Sequence, residues 1–378
     1  MLLPVAVLFL EVLLAVTKKG PYSLKTGARG SLAIVVPAHD EASMIAATLH
    51  SILPELNASD RLIVVADNCS DETAAVAATC GAEAIVRTDL TRRGKGYALD
   101  FAVRHLAPTA PDVVIVIDAD CQVAPGSIDR LARVCTDTAR PVQALYLMHS
   151  PPNAGPMTRI AEFAWAVKNQ VRPLGSRRLG LSCQLMGTGM AFPWSCIRAA
   201  NLASGHIVED VMLGLELTRA GTPPLFCPEA LVTSTFPASN EGTQSQRVRW
   251  EHGHLGVIAS ELPRLYVDAL AKLDVQLLSA ALDLTVPPLA LLVLQVAAVW
   301  CASLLFYFLA STAVPLVMAS VVAILFFVSV LMSWATVGRR IISIGSLALA
   351  AVYALRKIPL YARFLVARQV NWVRSKRD

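Results

Sequence analysis

Two apolar runs near the end of this 378-residue chain set the first limit on its fold. Val286–Ala310 is 25 residues without a charge and Val314–Val337 is 24 more, with only Ser311, Thr312 and Ala313 between them. At about 1.5 Å per residue, each is long enough as a helix to cross a hydrocarbon layer of roughly 30 Å. The short link predicts a transmembrane helical hairpin over residues 280–337. Apolar residues make up 55% of the chain and charged residues 16%, too apolar for one water-soluble domain. The excess lies in residues 1–16 and beyond residue 280. The stretch between has the composition of a soluble domain of roughly 250 residues, long enough for a sizeable core.

Charge orients the hairpin. Arg339 and Arg340 close its second helix, and from Gly338 onward nine basic residues face the single acid Asp378. The net charge of +5 therefore belongs to this tail and not to a nucleic-acid face. Bases stay on the cytosolic side, so the hairpin tip points outward. The chain is expected in the cell inner (plasma) membrane, among membrane lipids, with its soluble domain cytosolic. Met1–Val16 contains Pro4 and Glu11, and Lys18 and Lys19 follow it. It reads as an uncleaved anchor over residues 1–17; a cleaved signal peptide and an interfacial helix are the alternatives. Ile341–Leu355 has 15 residues without a charge, and bases alternate with apolar residues after it. An amphipathic interfacial segment is expected over 341–378, with a short fourth span as the alternative. The eight cysteines lack metal-ligand spacing and read as free, mostly buried thiols in a reducing compartment.

The soluble part spans residues 30–260. Ala33–Val36, Leu62–Ala66, Ala84–Val86 and Val113–Ile117 read as strands buried on both faces. Ala42–Leu53, Glu72–Cys80 and Lys95–His105 read as helices, with Ser70 and Thr73 as caps for the second. The alternation predicts an α/β fold with a parallel sheet and right-handed crossovers. Such sheets bind ligands at the carboxyl ends of their strands. Those ends carry Pro37 to Glu41, Asp67 to Asp71, Thr91 to Gly96, and Asp118 to Asp120. Asp118 and Asp120 on one turn suit a hard divalent cation, with substrate phosphates completing its shell. The glycines and bases of Arg92 to Gly96 lead into a helix start that would receive phosphate. They lack the spacing of a Walker A loop.

The ordered set VVPAHDE, ADNCSDET, RRGKGYAL, DAD, GTG, ED and QRVRW resembles the family 2 glycosyltransferases. It is most similar to the membrane-integrated branch of cellulose, hyaluronan and chitin-type synthases, from about Ala33 to His254. The resemblance implies a GT-A fold (a Rossmann-like nucleotide-binding domain), a nucleotide-sugar donor, Mg²⁺ or Mn²⁺, and inversion at the anomeric carbon. Pro37, His39 and Glu41 would line the nucleoside pocket and Asp67 would recognise the base, expected to be uracil. Lys95, with Arg93, would contact the diphosphate side. Asp118 would face the nucleotide sugar and share the metal site with Asp120. Gly187, Thr188 and Gly189 would lie beneath the acceptor sugar. Glu209 and Asp210 would hold the catalytic base, and Gln246, Arg249 and Trp250 would lie near acceptor and diphosphate. A carboxylate at the start of the amphipathic helix Asp210–Arg219 is stabilised there, though simple N-capping explains it as well. Gln246, Arg249 and Trp250 share a helix face by their spacing.

The expected reaction is hexosyl transfer from a UDP-sugar to a saccharide or lipid-linked acceptor, with Asp210 as general base, in polysaccharide, exopolysaccharide or glycolipid synthesis. A processive β-glycan synthase is the alternative within this chemistry. A sugar nucleotidyltransferase and a non-catalytic membrane scaffold are the alternatives outside it.

Overall fold

The computed structural model describes residues 1–17, 20–24, 29–237 and 240–366, the side chains of 240–247 excepted. The chain starts with α1 (Leu2–Val16), whose inward face carries Val5, Leu8, Glu11 and Val12 at helical spacing. Then follow β1 (Leu32–Ala38), α2 (Ile45–Ile52), β2 (Arg61–Asp67), α3 (Thr73–Thr79), β3 (Glu83–Arg87), α4 (Lys95–Leu106) and β4 (Val113–Val116). These are the strands and helices expected from the apolar runs, shifted by up to three residues at their ends. Asp71 prepares the start of α3: its Oδ1 accepts from the Thr73 N–H at 3.0 Å. Neither Ser70 nor Thr73 caps this helix, because the chain enters it one turn position later than the hydroxyl pattern suggests and Thr73 is already helical.

β1 pairs in parallel with β2 on one side and β4 on the other, and β3 adds in parallel to β2. Alternation sends Ile34, Val36 and Ile115 to one core and Val35, Val114 and Val116 to the core on the opposite face. β3 departs from the expectation of a doubly buried strand. It is the sheet edge, and Val86 is 62% exposed there.

Beyond β4 the sheet stops being parallel. β5 (Gln122–Val123), α5 (Ser127–Thr138), β6 (Val142–His149), α6 (Pro156–Ala166), α7 (Arg172–Arg178), β7 (Met190–Pro193), α8 (Trp194–Ala199), α9 (Glu209–Arg219) and β8 (Leu225–Thr235) complete the domain. The strand order is β3-β2-β1-β4-β7-β6-β8-β5, with β7 antiparallel to both β4 and β6. The expected parallel sheet thus covers the first four strands of a mixed, eight-stranded one. The last two glycine turns before β7 reverse the chain, with φ of +90° at Gly187 and +67° at Gly189. Between α6 and α7 the helix widens into a π turn over Val167–Val171.

α10 (Asn240–Lys272) runs from the domain to α11 (Val275–Thr285). The hairpin is α12 (Leu289–Ala310) and α13 (Val314–Thr336), and the chain continues through α14 (Ile344–Leu347), α15 (Ala350–Arg356) and α16 (Ile358–Val366). α12, α13 and the broken stretch Ile344–Val366 are long and apolar enough to cross a membrane. α1 is shorter, and it packs against α7 and α13. Arg172 of α7 joins three segments. Its Nε donates to Glu11 Oε2 at 2.6 Å, and its NH2 group donates to Asp283 Oδ1 at 2.5 Å and to the Asp283 carbonyl at 2.7 Å.

Candidate active site

The parallel register aligns the carboxyl ends of β1, β2 and β4, as Ala38 beside Ala66 and Val35 beside Val116 show. That alignment builds one cavity of about 150 Å³ lined by Pro37, His39, Glu41, Asp67, Arg93, Lys95, Asp118, Asp120 and, from α10, Arg249. Every residue that sequence reasoning assigned to the donor side therefore lines a single chamber.

Its interior is a web of neutralised charge. The Lys95 ammonium pairs with Asp118 and also donates to the Gly187 carbonyl at 2.7 Å. Burial works against the Lys95 charge, but Asp118, Glu209 and Asp210 outweigh it and keep the amine protonated. Asp67 is almost buried, and Arg87 reaches its Oδ1 at 2.6 Å. The Asp67 carbonyl meets His39 Nδ1 at 2.7 Å. The Glu41 N–H donates to Thr73 Oγ1 at 2.8 Å, which fixes the loop after β1 over α3.

Asp118, Asp120 and Cys121 each bring a ligand atom within 4.8 Å of the others. Burial, reinforced by Asp120 and Asp118, pushes the Cys121 thiol far up, so it stays protonated. The two carboxylates are hard oxygen donors and fit a divalent cation such as Mg²⁺ or Mn²⁺, which takes further oxygens from phosphate.

The loop Gly187-Thr188-Gly189 passes beneath this turn. A Cβ added at Gly187 would meet Asp210 Oδ2 at 3.5 Å, Lys95 Nζ at 3.7 Å and Asp118 Oδ2 at 3.8 Å. Two carboxylates and an ammonium thus converge on one bare backbone position. Thr188 does different work. It is fully buried, and its Oγ1 accepts from the Asp118 N–H at 3.0 Å, which braces the acidic turn from below.

Glu209 and Asp210 form the first turn of α9, where the helix dipole favours negative charge. The N-cap position itself is Val208, and the carboxylates of Glu209 and Asp210 each accept from the backbone at the helix start, as an N-terminal acid does. Burial first, then the Asp210 charge, raises Glu209 to about 7, with Lys95 pulling the other way. Burial also raises Asp210, against the opposing pull of Lys95 and then Lys168. A carboxylate raised in this way is a better proton acceptor near neutral pH.

α10 divides its residues between two chambers. Arg249 faces the donor cavity, while Trp250 lines an adjoining cavity of about 130 Å³ and packs on Trp165 with ring centroids 5.0 Å apart. Gln246 belongs to α10, but its side chain lies outside the described residues. Gly253 brings α10 against the approach to α9: a Cβ there would lie 2.7 Å from Val208 Cγ1. Sequence reasoning missed Arg87, Trp165, Lys168 and His254. The one available signal was Lys168 itself, the lone base in the mainly apolar stretch Ile160–Val171. It sits in the π turn, a distortion that is frequent at functional sites.

Comparison with known proteins bears on the family and the fold. The family described as glycosyltransferase-like family 2 matches residues 28–253, more than half of the chain. An uncharacterised glycosyltransferase of Mycobacterium tuberculosis strain H37Rv is 35% identical over 123 residues, 31% of this chain and 52% of the relative. One from Mycobacterium bovis matches equally, so the chain spans about half the length of the curated relatives it matches. A mannosyltransferase from Pyrobaculum calidifontis, solved in complex with GDP-Man and Mn²⁺, superposes with a TM-score of 0.55 at 15% identity, covering 97% of this chain and 93% of that one. This likeness is one of fold, the GT-A arrangement of a nucleotide-binding domain with appended helices.

Proposed function

Because the chain belongs to the glycosyltransferase-like family 2, we propose that it moves a hexose from a nucleotide diphosphate sugar, a UDP-sugar, to an acceptor hydroxyl at the cytosolic face of the plasma membrane. The observation that carries this reading is the convergence of Lys95, Asp118 and Asp210 around Gly187, at the mouth of a chamber also lined by Asp120 and Arg249.

Asp210 takes the proton of the acceptor hydroxyl. The oxygen attacks the anomeric carbon from the face opposite the diphosphate. The carbon–oxygen bond to the diphosphate breaks, and its electron pair leaves with the nucleoside diphosphate. An α-linked donor then yields a β-linked product. Lys95 and Arg249 face the charge that develops on the leaving group, where fixed cations lower the barrier most. Asp118 and Asp120 would hold a divalent cation, Mg²⁺ or Mn²⁺, which supplies further neutralisation of the diphosphate when bound. Asp67, steadied by Arg87, and His39 would present the edge that recognises the base.

The membrane side of the reading is supported by the apolar hairpin and by the charge of Arg339 and Arg340 at its end, which favours a cytosolic domain. The saccharide product would enter polysaccharide or glycolipid synthesis. Purified full-length protein in detergent, offered a panel of nucleotide sugars with Mg²⁺ or Mn²⁺, should release nucleoside diphosphate. Release of pyrophosphate would identify a nucleotidyltransferase, and no turnover of any nucleotide sugar would leave a scaffold. Asp120→Ala should lose the metal dependence of nucleotide binding; an unchanged Mn²⁺ titration would remove that residue from the metal site.

A further inference from the structure

Two cavities outside the donor chamber run into each other. The first, of about 130 Å³, holds Trp165, Lys168, Trp250 and His254. The second, of about 370 Å³, lies between α6, α12, α13 and α15 and is walled by side chains such as Phe163, Val293, Phe326 and Leu347. They share Ala164, Leu289, Ala290 and Tyr353, so one continuous channel leads from the catalytic helix to the bilayer-facing groove. Its wall there comes from the start of α12 (Leu289, Ala290, Val293) and the second half of α13 (Phe326, Val330, Leu331).

We propose that this channel seats a lipid phosphate as the carrier of the acceptor: its chain lies between α12, α13 and α15, and its phosphate rests against the Lys168 ammonium and the His254 ring. The inference rests on the glycosyl-transfer reading above and deepens it.

Charge selects the headgroup. The other cations of the channel are already matched: Arg172 by Glu11 and Asp283, and Lys357 by Glu251. Lys168 alone among them has no ion-pair or hydrogen-bond partner among the described residues. Burial lowers its pKa, an effect that Asp210 opposes. A half-buried ammonium without a partner among the described residues suits an anion. His254 is 6% exposed, and its Nδ1 is buried without a hydrogen-bond partner. Burial, then Lys168 and Arg172, push its pKa well down, so the ring is neutral. One ammonium and one open imidazole nitrogen suit a tetrahedral oxyanion with several acceptor oxygens. The groove beyond has no charged wall residue, which suits a hydrocarbon chain. Lys168 lies close enough to Asp210 to affect its titration, so a phosphate there delivers the attached acceptor to the base.

The test uses the full chain in detergent micelles with farnesyl phosphate, farnesol, oleate and inorganic phosphate as probes. Trp165 and Trp250 line the channel, so intrinsic fluorescence reads its occupancy without turnover. Farnesyl phosphate should saturate the signal, about ten- to hundredfold more tightly than farnesol. Inorganic phosphate should leave it unchanged. Lys168→Met should remove most of the preference for farnesyl phosphate over farnesol. Ala351→Phe, which fills the groove, should weaken both farnesyl compounds alike. Nucleoside diphosphate affinity in the same samples checks that each variant is folded. Equal binding of farnesol or oleate, or a preference that survives Lys168→Met, overturns the phosphate assignment; no lipid binding overturns the channel. Lipid-phosphate binding without turnover of any nucleotide sugar sinks the transfer reading and leaves the channel standing, and turnover without lipid binding does the reverse.

Discussion

The donor chamber and the channel lie on either side of α10, at Arg249 and Trp250, yet solve opposite problems. The donor chamber is dense with charge. Asp118 is met by Lys95 and Asp67 by Arg87 before any ligand arrives. The channel is walled largely by aromatic and aliphatic side chains, its Arg172 and Lys357 are ion-paired, and Lys168 has no ion-pair partner among the described residues. On the proposed reading a leaving diphosphate needs fixed countercharge in place at the moment of bond breaking, and the paired charges of the first chamber suit that need. An acceptor that must be drawn out of a bilayer needs apolar contact and one point of charge. One site holds its charges in balance, and the other leaves one open for its ligand.

The proposed base, beside Lys95 and Asp118 at Gly187, should show the largest effect. Asp210→Asn is expected to lower transfer about 10²- to 10⁴-fold while nucleotide affinity stays near the parent's. Initial rates beside calorimetric nucleotide titration check this, and substantial residual turnover would remove Asp210 as the base. On the donor side alone, Lys95→Met strips Asp118 and the Gly187 carbonyl of their partner. The turnover number should fall about 10²- to 10³-fold, together with a loss of nucleotide affinity that Asp210→Asn does not show.

The two chambers also differ in how much of them could be read in advance. Asp118 and Asp120 follow a five-residue apolar run directly, and the strand-end rule sends them, with His39 and Asp67, to one edge. Strand periodicity is local, so that edge was legible. What depends on packing was not. Arg87 holding Asp67 is a contact across two strands. Thr188 reads as part of an acceptor loop but is buried as a brace under Asp118. Arg249 and Trp250 share a face by spacing, yet neighbouring chambers open on either side of α10 and separate them. Lys168 and His254 come from segments far apart in sequence, and nothing in a π turn's residues announces it. The reversal into β7 was equally hidden, because it follows from the backbone angles of Gly187 and Gly189.

Two smaller effects sharpen the contrast. Gly253→Ala places a Cβ 2.7 Å from Val208 Cγ1, so either that side chain or α10 must give way at the approach to α9. A cost of about 1–3 kcal/mol is expected, visible as a lower melting temperature. Acceptor KM should change more than nucleotide affinity, because α10 forms more of the channel than of the donor chamber; equal changes in both would contradict the division. Glu209 should show the mildest effect. Its folded value of about 7 lies above the ordinary 4.5, so the folded protein holds an extra proton between these values. The stability this brings is complete below about pH 4.5 and fades as pH rises through 7. Glu209→Gln stays neutral and escapes that loss. Its melting temperature relative to the parent should therefore rise by a few degrees from acid to mildly alkaline pH. A constant difference would place Glu209 in contact with solvent.

The tie between α10 and the end of the chain has a mechanical meaning. Lys357 grips Glu251, and the neighbouring His252 meets the Leu360 carbonyl at 3.0 Å and the Phe364 ring at 5.5 Å. These contacts lie within a turn of Arg249 and Trp250. Any displacement of Ile358–Val366 would therefore be carried through these contacts to α10, one turn from Arg249 and Trp250.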